Sequence, residues 1–416
     1  MSSNRWPLHA ALACVAVGAL CATPVLAETA PTFAALLKQA QVSAPRLSLG
    51  DAETRAAQGM AAQAAARPNP TVGLVVENAA GSGPYKAFDS AETTLSIEQP
   101  LELGGKRAAR VSAAQADVAA AQARGAQNQI DFARDLALAY ANAEAAQQRL
   151  AIAKDSVDLA QADARAARLL VDNGKEAQVR AIQAEAGLAS ARADLGAVQA
   201  EAEGALARLS ALTGLSESYT AVAGGLLDIV VPAAPSTEPT FSPAIAAARA
   251  ERDAAQRRIA LERSRRAPDV AVSFGLRRLR GDDATAAVFG LSAPLPLFDR
   301  NRGAVAAATA NAQAAQARLA MVQAEQDGDR RAASSQVAAS GQTLEASRQA
   351  EAAASEAYRL ARMGYDAGRL PLSEVLAARR DLIAARGRAV DTKLARVKAF
   401  ADLARAQGRM PFGDQP

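Results

Sequence analysis

Two long stretches without proline restrict this chain more than any other feature. None occurs between Pro100 and Pro232, or between Pro296 and Pro371. Interior proline costs a helix about 3 kcal/mol, so such stretches are what very long helices require. Each stretch follows the same landmarks. Arg67-Pro68-Asn69-Pro70 and Arg266-Ala267-Pro268-Asp269 precede short alternating segments, which end at Gln99-Pro100-Leu101 and Leu295-Pro296-Leu297. Each helical pattern then runs to a glycine turn, Asp172-Asn173-Gly174 or Asp366-Ala367-Gly368, 74 and 72 residues after its proline. Self-similarity on this scale predicts a duplicated rod, the wall of a tube rather than a catalytic pocket.

The rods have the heptads of packed helices. A helix from about Arg107 to Asp172 would span roughly 100 Å. Along it Leu136, Ala143, Leu150, Val157, Ala164 and Val171 recur every seven residues, with Ala139, Ala146, Ala153, Ala160 and Ala167 three further on. The returning helix repeats Leu188, Leu195, Ala202 and Leu209, and the second half Leu376, Ile383, Val390 and Val397. A seven-residue period means coiled-coil packing, and its many alanines allow close helix approach. With 4% aromatic residues, the chain lacks the material for a thick core.

The alternating segments predict four strands in two hairpins, 71–99 and 269–293. Val72, Leu74 and Val76 share one face of the first strand, and Thr93, Leu95 and Ile97 one face of the second. Val270, Val272, Phe274 and Leu276 do the same in the third, as do Ala287, Phe289 and Leu291 in the fourth. Apolar on one side and more polar on the other over about ten residues is the pattern of an outer-membrane strand. Four strands cannot close a barrel, and open edges are not tolerated in lipid, so this reading requires oligomerisation. A soluble four-stranded sheet half covered by helices is the alternative.

Residues 1–27 read as a secretory leader: Arg5, an apolar run over Ala10–Leu20, then Val25-Leu26-Ala27 before Glu28. Cys21 offers lipidation as an alternative, although Gly18-Ala19-Leu20 is a poor lipobox. Both cysteines and the single histidine, His9, lie in this leader. The mature chain would therefore carry no disulfide, Cys/His zinc site, Cys nucleophile or His base. Met60, Met321, Met363 and Met410 are scattered. No catalytic residue, cofactor or metal site is predicted. A mature net charge of +3, spread over alternating signs with no basic block interleaved with aromatics, does not point to nucleic acid, and no nucleic-acid partner is expected. The expected organisation is a leader (1–27), a first repeat (28–231, tip near 174), a Pro-rich link (232–243), a second repeat (244–410, tip near 368) and a tail (411–416).

Helix, strand hairpin and long helical hairpin, twice over, resemble the TolC family of outer membrane efflux proteins. Ala66-Arg67-Pro68-Asn69-Pro70 and Tyr365-Asp366-Ala367-Gly368 followed by Glu374-Val375-Leu376 carry the likeness. The run Ala91-Glu92-Thr93-Thr94-Leu95-Ser96-Ile97-Glu98-Gln99-Pro100-Leu101-Glu102-Leu103-Gly104-Gly105-Lys106-Arg107 resembles the heavy-metal branch, the outer components of cobalt–zinc–cadmium and nickel efflux systems. The resemblance implies a mainly α fold with a small β part. It implies a homotrimer with a twelve-stranded barrel in outer-membrane lipid and a long periplasmic α-helical barrel. It also implies a passive export duct, not an enzyme, that docks on a periplasmic adaptor (membrane fusion) protein and an inner-membrane pump of the resistance-nodulation-division type. A drug or type I secretion duct, or a periplasmic coiled-coil adaptor, are the competing readings.

In the family an acidic residue six after the second turn glycine lines the closed aperture. Here it is Glu374; a second family acid, three further on, is replaced by Ala377, and the equivalent first-half position is Arg180. The expected gate is an ion pair between Glu374 and Arg180, with Asp172 and Asp366 beside it. Adaptor contact is expected at Asn173, Gly174, Lys175, Gly368 and Arg369. Lys86, Arg277, Arg278, Arg280, Asp282 and Asp283 are expected in the exit loops, where they would bias ion passage.

Overall fold

A computed structural model describes residues 29–216, 218–229 and 242–412. The leader with residue 28, residue 217, residues 230–241 (which take in most of the link) and the last four residues lie outside the described residues. The chain begins with a two-residue strand β1 (Thr29–Ala30), then helices α1 (Phe33–Ser43) and α2 (Pro45–Ala65). Pro45 enforces the break between the helices and sits at the first position of α2, where its missing N–H costs nothing. Strands β2 (Thr71–Glu77) and β3 (Glu92–Leu101) form the first hairpin, followed by α3 (Lys106–Asp172) and α4 (Gln178–Thr213). After β4 (Ala221–Val222) the order repeats: α5 (Pro243–Ser264), β5 (Val270–Leu279), β6 (Ala284–Ser292), α6 (Arg302–Asp366) and α7 (Leu372–Ala406).

The four long strands form one antiparallel sheet in the order β2-β3-β5-β6. Its register aligns Val72, Ile97, Phe274 and Phe289 in one row and Leu74, Leu95, Leu276 and Ala287 in the next. Paired residues share a face, so these rows make a continuous apolar surface, and its large side chains are exposed. β3 continues through Pro100, one residue past the predicted Gln99 and on to Leu101. That is possible because its pairing with β2 ends at Glu98, and the missing N–H falls on the side without a neighbour.

The helices extend the sheet as a single-layered wall. Near the strands α2, α3, α5 and α6 lie side by side, and away from them the order is α4, α3, α7 and α6. The seams are the predicted ones. Ala146, Ala153, Ala160, Ala164 and Ala167 of α3 are buried, as are Ala202, Ala205 and Leu209 of α4, and Val390 and Val397 of α7.

The one thick region is midway down α3, where α1, α3, α4, α7 and the segment after β4 meet around Phe33, Leu36, Phe132, Leu136, Tyr140, Leu209 and Leu226. Here β1 pairs in parallel with β4, a contact too short for any periodic signal. Glu144, 5% exposed, anchors the segment after β4: its carboxylate accepts from the backbone N–H of Gly225 (2.9 Å), Leu226 (3.0 Å) and Leu227 (3.2 Å). The start of the expected tail also belongs to this core, since Phe412 packs edge-on against Phe33 at 6.0 Å.

Candidate functional site

The two helical tips are built alike. At the first, Gly174 takes φ +68° and its N–H donates to the Val171 carbonyl (2.9 Å), while Lys175 N–H donates to the Leu170 carbonyl (2.9 Å). At the second, Gly368 takes φ +69° and donates to the Tyr365 carbonyl (2.8 Å), while Arg369 N–H donates to the Gly364 carbonyl (2.8 Å). This paired return to the last turn needs a left-handed residue at its centre, which glycine adopts without steric cost. Asn173 adds a side-chain bond to the Leu169 carbonyl (2.6 Å). Asp172, Lys175 and Arg369 are exposed at the tips.

Within one protomer the Arg180–Glu374 pair does not form. The acidic partner of Arg180 is Glu176, one turn back on the same hairpin (3.9 Å), and its guanidinium also donates to Gln183 (3.5 Å). Glu374 stands exposed in the first turn of α7. Asp366 is held by Arg362 (3.4 Å).

Several ion pairs join α3 to α7, among them Arg134–Asp402 (2.7 Å) and Arg149–Asp391 (2.6 Å), and the buried one nearest the tips centres on a residue outside the predicted set. Asp163, 1% exposed on α3, accepts from Arg362 of α6 (2.9 Å) on one oxygen and from Arg379 of α7 (2.9 Å) on the other. Below it Ala164, Ala167, Ala184, Leu372 and Val375 close an apolar plug. Burial pushes the Asp163 carboxyl above the ordinary carboxylate range, with Arg379 and then Arg362 pulling it back. A period-3.6 count could have found it: Asp163 shares the packed stripe of Ala160, Ala164 and Ala167. Nearby, the Tyr365 hydroxyl is buried without a partner among the described residues.

At the other end the arginines depart from expectation. Arg277 and Arg278 lie in β5, not in a loop, and being adjacent they point to opposite faces. Arg278 sits on the apolar face at the strand end, bonded to Asp283. Arg277 sits on the polar face, bonded to Glu92 (3.0 Å), Glu77 (3.2 Å) and the Thr94 hydroxyl (3.0 Å). Arg280 and Asp282 lie in the β5–β6 turn, and Lys86 in the longer β2–β3 loop.

No group of three or more His, Cys, Asp or Glu among the described residues is placed to hold a metal ion. No described helix is long and apolar enough to cross a membrane, whereas the strand face exposes Val72, Leu74, Leu95, Ile97, Leu276 and Phe289 together. The outer membrane efflux protein profile matches the chain twice, over residues 36–215 and 240–409. The chain belongs to the outer membrane efflux protein family. Among curated relatives it is 42% identical over 389 residues to the nickel-cobalt-cadmium resistance protein NccC of Alcaligenes xylosoxydans xylosoxydans, covering 93% of this chain and 89% of the relative. It is 46% identical over 314 residues to the nickel and cobalt resistance protein CnrC of Cupriavidus metallidurans, covering 75% of each. Its fold matches the outer membrane protein VceC of Vibrio cholerae with a TM-score of 0.73 at 22% identity, covering 91% of this chain and 96% of that one.

This outer membrane efflux protein is therefore a passive channel, not an enzyme, of a class that is trimeric and works with adaptor and pump partners. Three four-stranded sheets complete a twelve-stranded barrel in the outer membrane, and the helices continue it through the periplasm. Lipid covers the apolar strand face, which leaves Glu77, Glu92, Thr94, Ser96, Glu98 and Arg277 facing the bore.

Proposed function

We propose that the cargo of this duct is divalent heavy-metal cations, delivered by a periplasmic adaptor protein and an inner-membrane pump of the resistance-nodulation-division type. The carrying observation is the likeness, over most of both chains, to relatives named for nickel, cobalt and cadmium resistance. The chain's own chemistry fits conduction rather than capture, because a wall without a clustered ligand set does not retain the ions it passes. Deleting the gene and scoring growth tests the cargo. Loss of nickel, cobalt or cadmium tolerance with unchanged drug tolerance is the expected result; drug sensitivity alone would assign the duct to drug export, and failed protein secretion alone to type I secretion.

The working parts follow the two repeats, 28–231 and 244–410, joined by the link 232–243. Asn173, Gly174, Lys175, Gly368 and Arg369 form the docking surface for the adaptor. Their support is position: both turns end the same wall and expose a basic side chain beside each glycine. The gate pairs Glu374 with Arg180 of a neighbouring protomer, Asp172 and Asp366 flanking it. Glu374 has no ion-pair partner among the described residues, and the acidic contact of Arg180, to Glu176, is long. Glu374→Lys should raise single-channel conductance in planar bilayers, and adding Arg180→Glu should restore it. Unchanged conductance in the single variant would remove Glu374 from the gate.

A further inference from the structure

The bore-facing rows of the sheet differ sharply in how their charges are balanced. Near the outer end Arg277 sits between Glu77 and Glu92, one cation against two carboxylates. Toward the periplasmic end one row aligns Thr71, Glu98, Ser273 and Gly290. Glu98 is exposed there, and no hydrogen bond or ion pair within the described chain reaches its carboxylate. Its neighbours are short. A side chain at Gly290 would meet the Ser273 hydroxyl at 2.4 Å, and one at Gly275, in the adjacent row, the Leu95 carbonyl at 2.8 Å. Glu98 therefore stands clear of the wall in a row without a bulky or basic residue. Threefold symmetry turns it into a ring of carboxylates at one level of the barrel.

We propose that Glu98 is a charge-selectivity determinant of the exit barrel, raising the local concentration of cations and repelling anions as cargo leaves. The inference rests on the duct reading, in which the polar strand face lines the bore. An unpaired charge on a confined, low-dielectric wall acts on every passing ion without binding it. Its reach is the Debye length, about 10 Å at 0.1 M salt and about 3 Å at 1 M, so its effect should be strong in dilute salt and vanish in concentrated salt.

The experiment is the reversal potential of full-length trimers in planar bilayers under a KCl gradient. Wild type should prefer potassium. Glu98→Gln should shift the reversal potential toward zero, and Glu98→Lys further, toward chloride preference. Thr71→Lys, which sets a cation directly across the register from Glu98, should mimic the neutral variant and serves if position 98 does not tolerate change. Conductance in concentrated KCl should match wild type throughout, showing intact barrels. Unchanged dilute-salt reversal potentials in such intact channels would overturn the role of Glu98 alone. Wild-type protein that assembles but forms no channel would instead overturn the duct reading, and the proposal with it.

Discussion

At the scale of single residues Asp163 is the buried carboxylate that joins α3 of the first hairpin to α6 and α7 of the second. Removing Arg379 leaves a buried carboxylate with Arg362 alone, a loss of about 3 kcal/mol of trimer stability by the usual cost of breaking such pairs. Thermal melting in detergent measures it. The pH response has a definite sign. Asp163 binds its proton more tightly in the folded chain than in the unfolded one. Between the ordinary carboxylate pKa and the raised one the native state therefore holds more protons, and stability falls as pH rises through that interval. Wild type should gain melting temperature relative to Asp163→Asn as pH drops across it; a constant difference would show that the carboxylate does not titrate there. Part of this was legible. The expected aperture positions, Glu374 and Arg180, come from the family resemblance and from counting six residues after each turn glycine. Their pairing does not, because one chain's sequence does not say which protomer supplies a partner. For Asp163 the periodicity marks the packed stripe but not the partners: Arg362 and Arg379 lie about 200 residues away in the second repeat.

At the scale of elements, proline and glycine positions set nearly everything. α3 begins within a residue of the expected Arg107 and ends at the expected Asp172, since a glycine precedes one end and a glycine turn follows the other. The strands were legible through period-two alternation, with ends wrong by one or two residues where pairing partners, not propensity, decide. The β1–β4 pairing and the Glu144 anchor were not legible, because each joins segments distant in sequence through backbone groups that no side-chain pattern reports. Glu144 is a sharp test of that core. Glu144→Ala takes the acceptor from three N–H groups, those of Leu226 and Leu227 buried, and should cost about 3 kcal/mol, whereas Glu144→Gln, which keeps an acceptor, should cost less. Equal melting losses for both would mean that the segment after β4 is held by its apolar contacts instead.

At the scale of the whole molecule, the strand order and the helix order agree. β2, α2 and α4 lie along one margin of the wall, and β6 and α6 along the other. The apolar strand face runs between them. Leu95→Arg, in the middle of that face, should cost about 2–4 kcal/mol in the bilayer and deplete heat-modifiable trimers from outer-membrane fractions. Glu98→Lys, three residues on but facing the bore, should assemble normally. If the two variants assemble equally well, the sheet does not present this face to lipid.

The unlike margins carry a genetic consequence. Each protomer meets one neighbour through its β6 side and the other through its β2 side, so a closed ring has no redundant contact. A chain damaged on one margin only still offers a sound surface to the next and is recruited into mixed assemblies it cannot complete. Alleles that disable a single margin should therefore be dominant when expressed beside an intact copy, whereas alleles that abolish folding, and so never enter a ring, should be recessive.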